Sequence, residues 1–142
     1  MLVRNSIGEE RLSNLNKLIW FSCFYWTPIF KTHCVSFFGG EPLLEYELIK
    51  ETIINYPNIK FGISTNLTLL TPERVKFLFD NDVKMLFSID GIEKIHNLSR
   101  DNSWDSFSYL LPVLGELFPD AIFRITLTPE NIKYLNETIY FG

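Results

Sequence analysis

Two spacings of apolar residues alternate along this chain. Short, nearly unbroken apolar runs at Cys34–Phe38, Lys60–Thr65, Lys84–Ile89 and Ala121–Leu127 each end in small polar residues, and each predicts a buried strand. Between them the apolar positions recur at helical spacing. Ser6 and Glu9 form a capping box ahead of Leu12, Leu15 and Ile19, predicting a helix over about 6–25. After Pro42, the pairs Leu44/Leu48 and Ile49/Ile53 predict a second helix, broken by Tyr56-Pro57-Asn58. Thr71 caps a third, with Pro72 at its first position and Val75, Leu78 and Phe79 on its inner face. Ser103 opens a fourth, with Phe107, Leu110, Leu111, Leu114 and Leu117 on one stripe; Pro112 bends it or moves its start. Asn131 to Tyr140 reads as the last.

Strands alternating with helices predict an α/β fold: a parallel sheet of about four strands with flanking helices and right-handed crossovers. Four strands cannot close a barrel, so the sheet is either a small open one or part of a larger barrel. Thirteen phenylalanines favour the barrel, because a parallel sheet needs apolar cover on both faces. The 142 residues suffice for one domain with a core, and no linker or low-complexity stretch divides them.

Charge and cysteine content narrow the function classes. A net charge of −4 without a lysine/arginine cluster argues against nucleic-acid binding. The apolar stretch Leu18–Phe30 is interrupted by Thr27-Pro28 and is too short for a bilayer, and no signal-peptide pattern is present. The expectation is therefore a cytoplasmic protein with no membrane partner. Cys23 and Cys34 form neither a disulfide framework nor a metal-site spacing and read as small buried apolar residues.

The carboxyl ends of parallel strands share one rim, where ligands bind. On that rim stand Gly39, Gly40 and Glu41; Ser64, Thr65 and Asn66; Ser88, Asp90 and Gly91, with His96 and Arg100 in the following loop; and Thr126, Thr128 and Asn131. The Gly-Gly-Glu-Pro turn is the most informative of these. Its glycines allow close backbone approach to a ligand, Glu41 adds a carboxylate suited to a cation, and Pro42 presets a helical turn. Turn and cap chemistry accounts for each rim residue singly, and for Asp90 the two readings balance. It accounts less well for all four strands ending this way. His96 and Arg100, taken alone, read as a loop histidine and a solvated charge.

Phe37-Phe38-Gly39-Gly40-Glu41-Pro42-Leu43-Leu44, Ser64-Thr65-Asn66-Leu67-Thr68-Leu69-Leu70, Ser88-Ile89-Asp90-Gly91 with His96 and Arg100, and Thr126-Leu127-Thr128-Pro129-Glu130-Asn131 together resemble the radical S-adenosylmethionine (radical SAM) enzymes. The nearest branch is the one that matures sulfatases and ribosomal peptides, the SPASM type. The resemblance runs from about Val35 to Leu135 and implies a (βα)₆ partial barrel. It also implies a [4Fe-4S] cluster and S-adenosylmethionine as cofactors, and a peptide or protein as substrate. In that chemistry the cluster donates an electron and a 5′-deoxyadenosyl radical abstracts hydrogen. The same resemblance implies that Gly39, Gly40, Glu41 and Pro42 hold the methionine amino group and that Ser64, Thr65 and Asn66 lie near the cofactor. Ser88 and Asp90 would face its ribose or methionine part or the substrate, Asp90 being the one catalytic candidate, and Arg100 would suit its carboxylate.

The sequence also departs from the family pattern. The Cys-x₃-Cys-x₂-Cys cluster loop is absent, and no residue of this chain is expected to ligate metal. Leu67 stands where glycine is usual, and Ile92 where proline is usual. The expectation is one incomplete core domain, with 1–32 a leading helix and connection and 33–142 four βα units. It would begin after the cluster loop and end before the last barrel strand, its open edges met by the rest of the barrel or by self-association. Three functions stand: an internal piece of a radical enzyme, a degenerate scaffold or peptide-binding module, and an unrelated α/β domain with a phosphate site. The last lacks any Gly-x-Gly-x-x-Gly or Walker loop.

Overall fold

The computed structural model describes residues 34–140; the helix predicted over 6–25, Cys23 and the Cys34 side chain lie outside the described part. Four strands, β1 (Cys34–Phe37), β2 (Lys60–Thr65), β3 (Lys84–Phe87) and β4 (Ile122–Phe123), pair in the order β1-β2-β3-β4, all parallel. The α/β reading is thus what the chain folds to. The helices are α1 (Tyr46–Asn55), α2 (Pro72–Asp80), the short α3 (Glu93–His96), α4 (Leu111–Leu117) and α5 (Leu135–Ile139). None of them is long and apolar enough to cross a membrane.

Strand pleating sorts the sheet into two faces. In the observed register Phe37, Ile63 and Met85 share one face with Thr65 and Phe87. All are buried and pack with Ile49 and Ile53 of α1, Val75 and Leu78 of α2 and Leu114 of α4. Phe37 stacks on Phe61 at 5.5 Å, and Phe87 meets Phe118 and Phe123 edge-on. Ser36, Phe38, Gly62, Ser64, Leu86, Ile122 and Arg124 alternate onto the other face, which is more polar and is the concave face when such a sheet curves into a barrel wall.

Local chemistry explains the helix starts. Thr71 Oγ1 accepts from Arg74 N and Pro72 opens α2, as predicted. Pro42 opens a 3₁₀ turn (Pro42–Glu45) that leads into α1. Pro112 moves the start of α4 to Leu111, and the residues before it form two 3₁₀ turns, Trp104–Ser106 and Ser108–Leu110. Residues 132–140 likewise split into a 3₁₀ turn (Ile132–Tyr134) and α5.

Three packing expectations change. Leu44 is 73 % exposed, so of the two α1 pairs only Ile49/Ile53 faces the core. Phe79 is 45 % exposed and reaches only the rim of the core, edge-on to Phe118. The strand expected over Ala121–Leu127 shortens to two residues, because side chains take over the hydrogen bonds of Thr126 that a ladder would use.

Ile92 shows what a family-typical proline would do here. Its φ is −64° and ψ 164°, angles that proline adopts, and its side chain is 40 % exposed. Ile92→Pro is expected to stabilise the chain by about 0.4–1 kcal/mol by restricting the unfolded state. Urea unfolding checks this; a lowered midpoint would mean that the Ile92 N–H is needed.

Candidate functional site

The strand ends form one continuous rim. Glu41 caps the Pro42–Glu45 turn: Oε1 accepts from Leu43 N at 3.1 Å and from Thr65 Oγ1 at 2.8 Å, and Oε2 accepts from Asn66 N at 2.7 Å. The carboxylate therefore ties the turn after β1 to the end of β2. Arg74 reinforces this from beneath, donating to Leu69 O at 2.7 Å while stacked 4.4 Å over the Tyr46 ring. Asn66 Oδ1 accepts from Thr68 N and Thr68 Oγ1, an Asx turn that fixes the loop. Ser88 N donates to Thr65 O at 2.9 Å, which joins the third strand end to the second.

Gly39 and Gly40 are exposed at the front of this rim, and Pro42 is buried behind them. Neither glycine has positive φ, and a Cβ built on Gly40 meets nothing within 4 Å. Gly91 differs: its φ is +125° and a Cβ there would lie 3.0 Å from Thr138 Oγ1, so glycine is a packing requirement. Ser64 is half-buried and Ser88 buried, and by strand alternation both belong to the concave face.

Asp90 and Arg100 form a second cluster. The Asp90 side chain is 0 % exposed. Its Oδ2 accepts from Arg100 Nε at 2.7 Å and Ser99 Oγ at 2.9 Å; its Oδ1 accepts from Arg100 Nη2 at 3.0 Å and Thr126 N at 2.8 Å. These four donors match the roughly four acceptor sites of a carboxylate. Burial pushes the Asp90 pKa up, but the bonds from Arg100, Thr126 and Ser99 outweigh it and hold the carboxyl below its usual range. Asp101 and Asn102, both left-handed, make the tight turn that returns the chain after Arg100.

His96 is buried behind Asp90. Nδ1 accepts from Asp90 N at 3.3 Å, which assigns the proton to Nε2, 3.0 Å from Ser103 Oγ. Burial lowers its pKa, the Asp90 charge raises it, Arg100 lowers it, and the net direction is down. The folded state thus binds fewer protons than the unfolded one as pH falls below 6.5, and stability is lost with acid. The urea midpoint is expected to fall from pH 7 to pH 5.5, and to fall less in His96→Asn. An equal fall in both would exclude His96 as the cause.

The sequence did not single out Arg124, and it marked Phe38 only as the residue leading into the Gly39-Gly40 turn. The Arg124 guanidinium lies 5.2 Å from the Phe38 ring centroid, a contact from β4 across the concave face to β1. Arg124 is exposed and has no ion-pair partner among the described residues. The available signal was a lone charge in an apolar strand run.

A family model, the Radical SAM superfamily, matches residues 27–141. The chain belongs to the radical SAM superfamily. Among its relatives, a radical SAM cyclopropyl synthase of Paramaledivibacter caminithermalis is 30 % identical over 74 % of this chain and 24 % of its own length. A cysteine-type anaerobic sulfatase-maturating enzyme of Clostridium perfringens is 37 % identical over 54 % of this chain and 24 % of its own. The chain thus spans about a quarter of each. A solved structure of His-tagged anSMEcpe with bound AdoMet superposes at a TM-score of 0.61, with 23 % identity, covering 76 % of this chain and 33 % of that one. Native anSMEcpe with bound AdoMet and a Cp18Cys peptide gives 0.58 at 24 % identity, covering 76 % and 34 %. These findings bear out the radical SAM superfamily and the partial-barrel fold, with sulfatase-maturating enzymes among the relatives.

The two implied cofactors fit this chain differently. The exposed Gly39-Gly40 turn, the serine hydroxyls and Arg124 suit a zwitterionic, hydroxyl-rich cosubstrate. A radical SAM cluster does not fit this donor set. The sequence has two cysteines, eleven positions apart, and no group of three His, Cys, Asp or Glu among the described residues could hold a metal.

Proposed function

We propose that this rim and its concave face form the S-adenosylmethionine-binding wall of a radical SAM barrel that modifies a peptide or protein. The reading rests on the Gly39-Gly40 turn. It is exposed and needs no positive φ, and Gly40 has room for a side chain. Among the described residues no packing contact calls for glycine at position 40, whereas close approach of a ligand does. The turn's carbonyls would accept from the methionine ammonium. Glu41 adds negative charge beside it while its oxygens hold the turn in place. Ser64, Asn66 and Ser88 line the ribose and methionine side, and Thr65, buried on the helix-covered face, acts on it only through its bond to Glu41. Arg124 would take the carboxylate, because Arg100 is committed to Asp90. By the same geometry Asp90 holds structure together rather than moving a proton. Bound there, S-adenosylmethionine would supply the hydrogen-abstracting group, while the residues present do not hold the cluster from which such chemistry draws its electron.

The peptide substrate is supported by relatives named as sulfatase-maturating enzymes and by a neighbour solved with a peptide. The cysteine count favours a second reading, a non-catalytic peptide-binding scaffold on the same concave face.

NMR titration of the chain with S-adenosylmethionine tests the first reading. Each neutral hydrogen bond is worth about 0.5–1.5 kcal/mol, so the few bonds here give a Kd of about 1 mM. Shifts are expected at Gly39, Gly40, Ser64, Asn66 and Ser88. Gly40→Val should abolish them without lowering the unfolding midpoint. Shifts that persist in Gly40→Val, or that centre away from the rim, overturn the assignment; absence of any shift favours the scaffold.

A further inference from the structure

Every polar group of Thr126 is held by a side chain from another part of the rim. Its N–H donates to Asp90 Oδ1 at 2.8 Å, its Oγ1 accepts from Arg100 Nη2 at 3.1 Å, and its carbonyl accepts from Asn131 Nδ2 at 2.8 Å. Asp90 and Asn131 are themselves 0 % and 2 % exposed. A strand residue ordinarily spends its backbone groups on neighbouring strands. Here the last ladder bond is Arg124 N to Phe87 O at 2.8 Å, and polar side chains take over two residues later.

Burying a carboxylate and an amide costs free energy even when both are fully bonded. A plain ladder would close the same edge with no buried charge. What the arrangement adds is a fixed backbone on both sides of Arg124. The Phe87 carbonyl holds Arg124 N, and the clamp holds Thr126 N, O and Oγ1. Between these two points the arginine side chain runs over the concave face to the Phe38 ring.

We propose that Asp90, Arg100 and Asn131 are positioning residues that act through Thr126 to hold Arg124 across the concave face, aimed at a carboxylate of the bound ligand. This rests on the assignment of Arg124 to the cosubstrate carboxylate. The two ideas fail separately, because one concerns Arg124 and the other the residues that hold it. Arg100→Lys keeps a cation beside Asp90 but cannot fork between Asp90 and Thr126. Thr126→Ala removes only an exposed hydroxyl.

The experiment compares the Kd of S-adenosylmethionine with that of its decarboxylated analogue by NMR titration of the 142-residue chain. The native chain is expected to prefer the carboxylate form by about tenfold, the worth of one charge-assisted contact. Arg124→Gln should lose that preference. Arg100→Lys should lose most of it, and Thr126→Ala about threefold of it. Both should bind the decarboxylated form as the native chain does, a split that a purely structural defect would not produce. No preference in the native chain overturns the role of Arg124 and this inference with it. A native preference lost in Arg124→Gln but kept whole in Arg100→Lys and Thr126→Ala overturns the positioning role alone. Should Arg100→Lys fail to fold, Thr126→Ala decides.

Discussion

Asp90→Ala is expected to destabilise the fold by about 3–5 kcal/mol, the usual cost of breaking a buried ion pair by removing one partner. Against a total of roughly 5–15 kcal/mol for a domain this size, such a loss removes from about a fifth to all of the stability. The size follows from what is stranded. Arg100 is only 21 % exposed and would lose both bonds of its fork, while Thr126 N and Ser99 Oγ would lose their acceptor. Thr126 would then be released from the β3 end, and β4 has only two paired residues to hold it. Asp90→Asn should cost nearly as much, since one carboxylate oxygen becomes a donor facing donors. The double variant Asp90→Ala/Arg100→Ala should cost less than the sum of the single ones, because each removes the other's unpaired charge. Urea unfolding gives these values; a loss under about 1 kcal/mol for Asp90→Ala would place the pair among ordinary surface salt bridges. Acid acts in the same direction. The Asp90 carboxyl sits below its ordinary 3.8, so its contribution is complete above that pH and is lost as pH falls through the folded value.

The parts of the fold legible in the sequence were those set by local pattern. Apolar runs located all four strands, and Thr71-Pro72 located the start of α2. Right-handed βαβ logic gave the strand order and brought Glu41, Asn66, Asp90 and Thr126 to one rim. What the sequence could not supply were partners distant along the chain. Asp90 reads as a carboxylate aimed at a ligand until Ser99, Arg100 and Thr126 are seen to fill its acceptor sites. Arg124 reads as a strand charge until Phe38, 86 positions earlier, is seen beneath it. Leu67 is intermediate. Its replacement of a glycine read as a divergent turn, and the structure supplies the energetics: φ is +70° and the side chain is 0 % exposed. A left-handed leucine costs about 1–2 kcal/mol, and its full burial returns about 1.5–3 kcal/mol. Glycine therefore ceases to be obligatory there. For Gly91 no such exchange is available, because Thr138 occupies the space a side chain would need.

Anaerobic reconstitution of the 142-residue chain with iron and sulfide is expected to yield no stoichiometric four-iron cluster, and no 5′-deoxyadenosine from S-adenosylmethionine under strong reductant. Cluster iron needs thiolates placed together, and this sequence holds two cysteines where the family loop uses three within eight positions. Among the described residues no carboxylate or histidine group fills the gap: Asp90 is saturated and His96 spends both ring nitrogens on Asp90 N and Ser103. The rim would then keep only its polar contacts to the cosubstrate. Binding and cleavage are thus expected to separate in this chain: S-adenosylmethionine shifts the rim resonances at about millimolar concentration yet leaves unchanged. Adding the missing function in trans sharpens the test. A synthetic peptide carrying Cys-x₃-Cys-x₂-Cys, reconstituted with iron and sulfide and mixed with the chain, S-adenosylmethionine and a strong reductant, should produce 5′-deoxyadenosine only if the rim presents S-adenosylmethionine in a reactive pose. Gly40→Val should remove that product. Iron bound by the chain alone, with 5′-deoxyadenosine release abolished by Cys23→Ala or Cys34→Ala, would instead make those two cysteines cluster ligands and this chain an enzyme by itself.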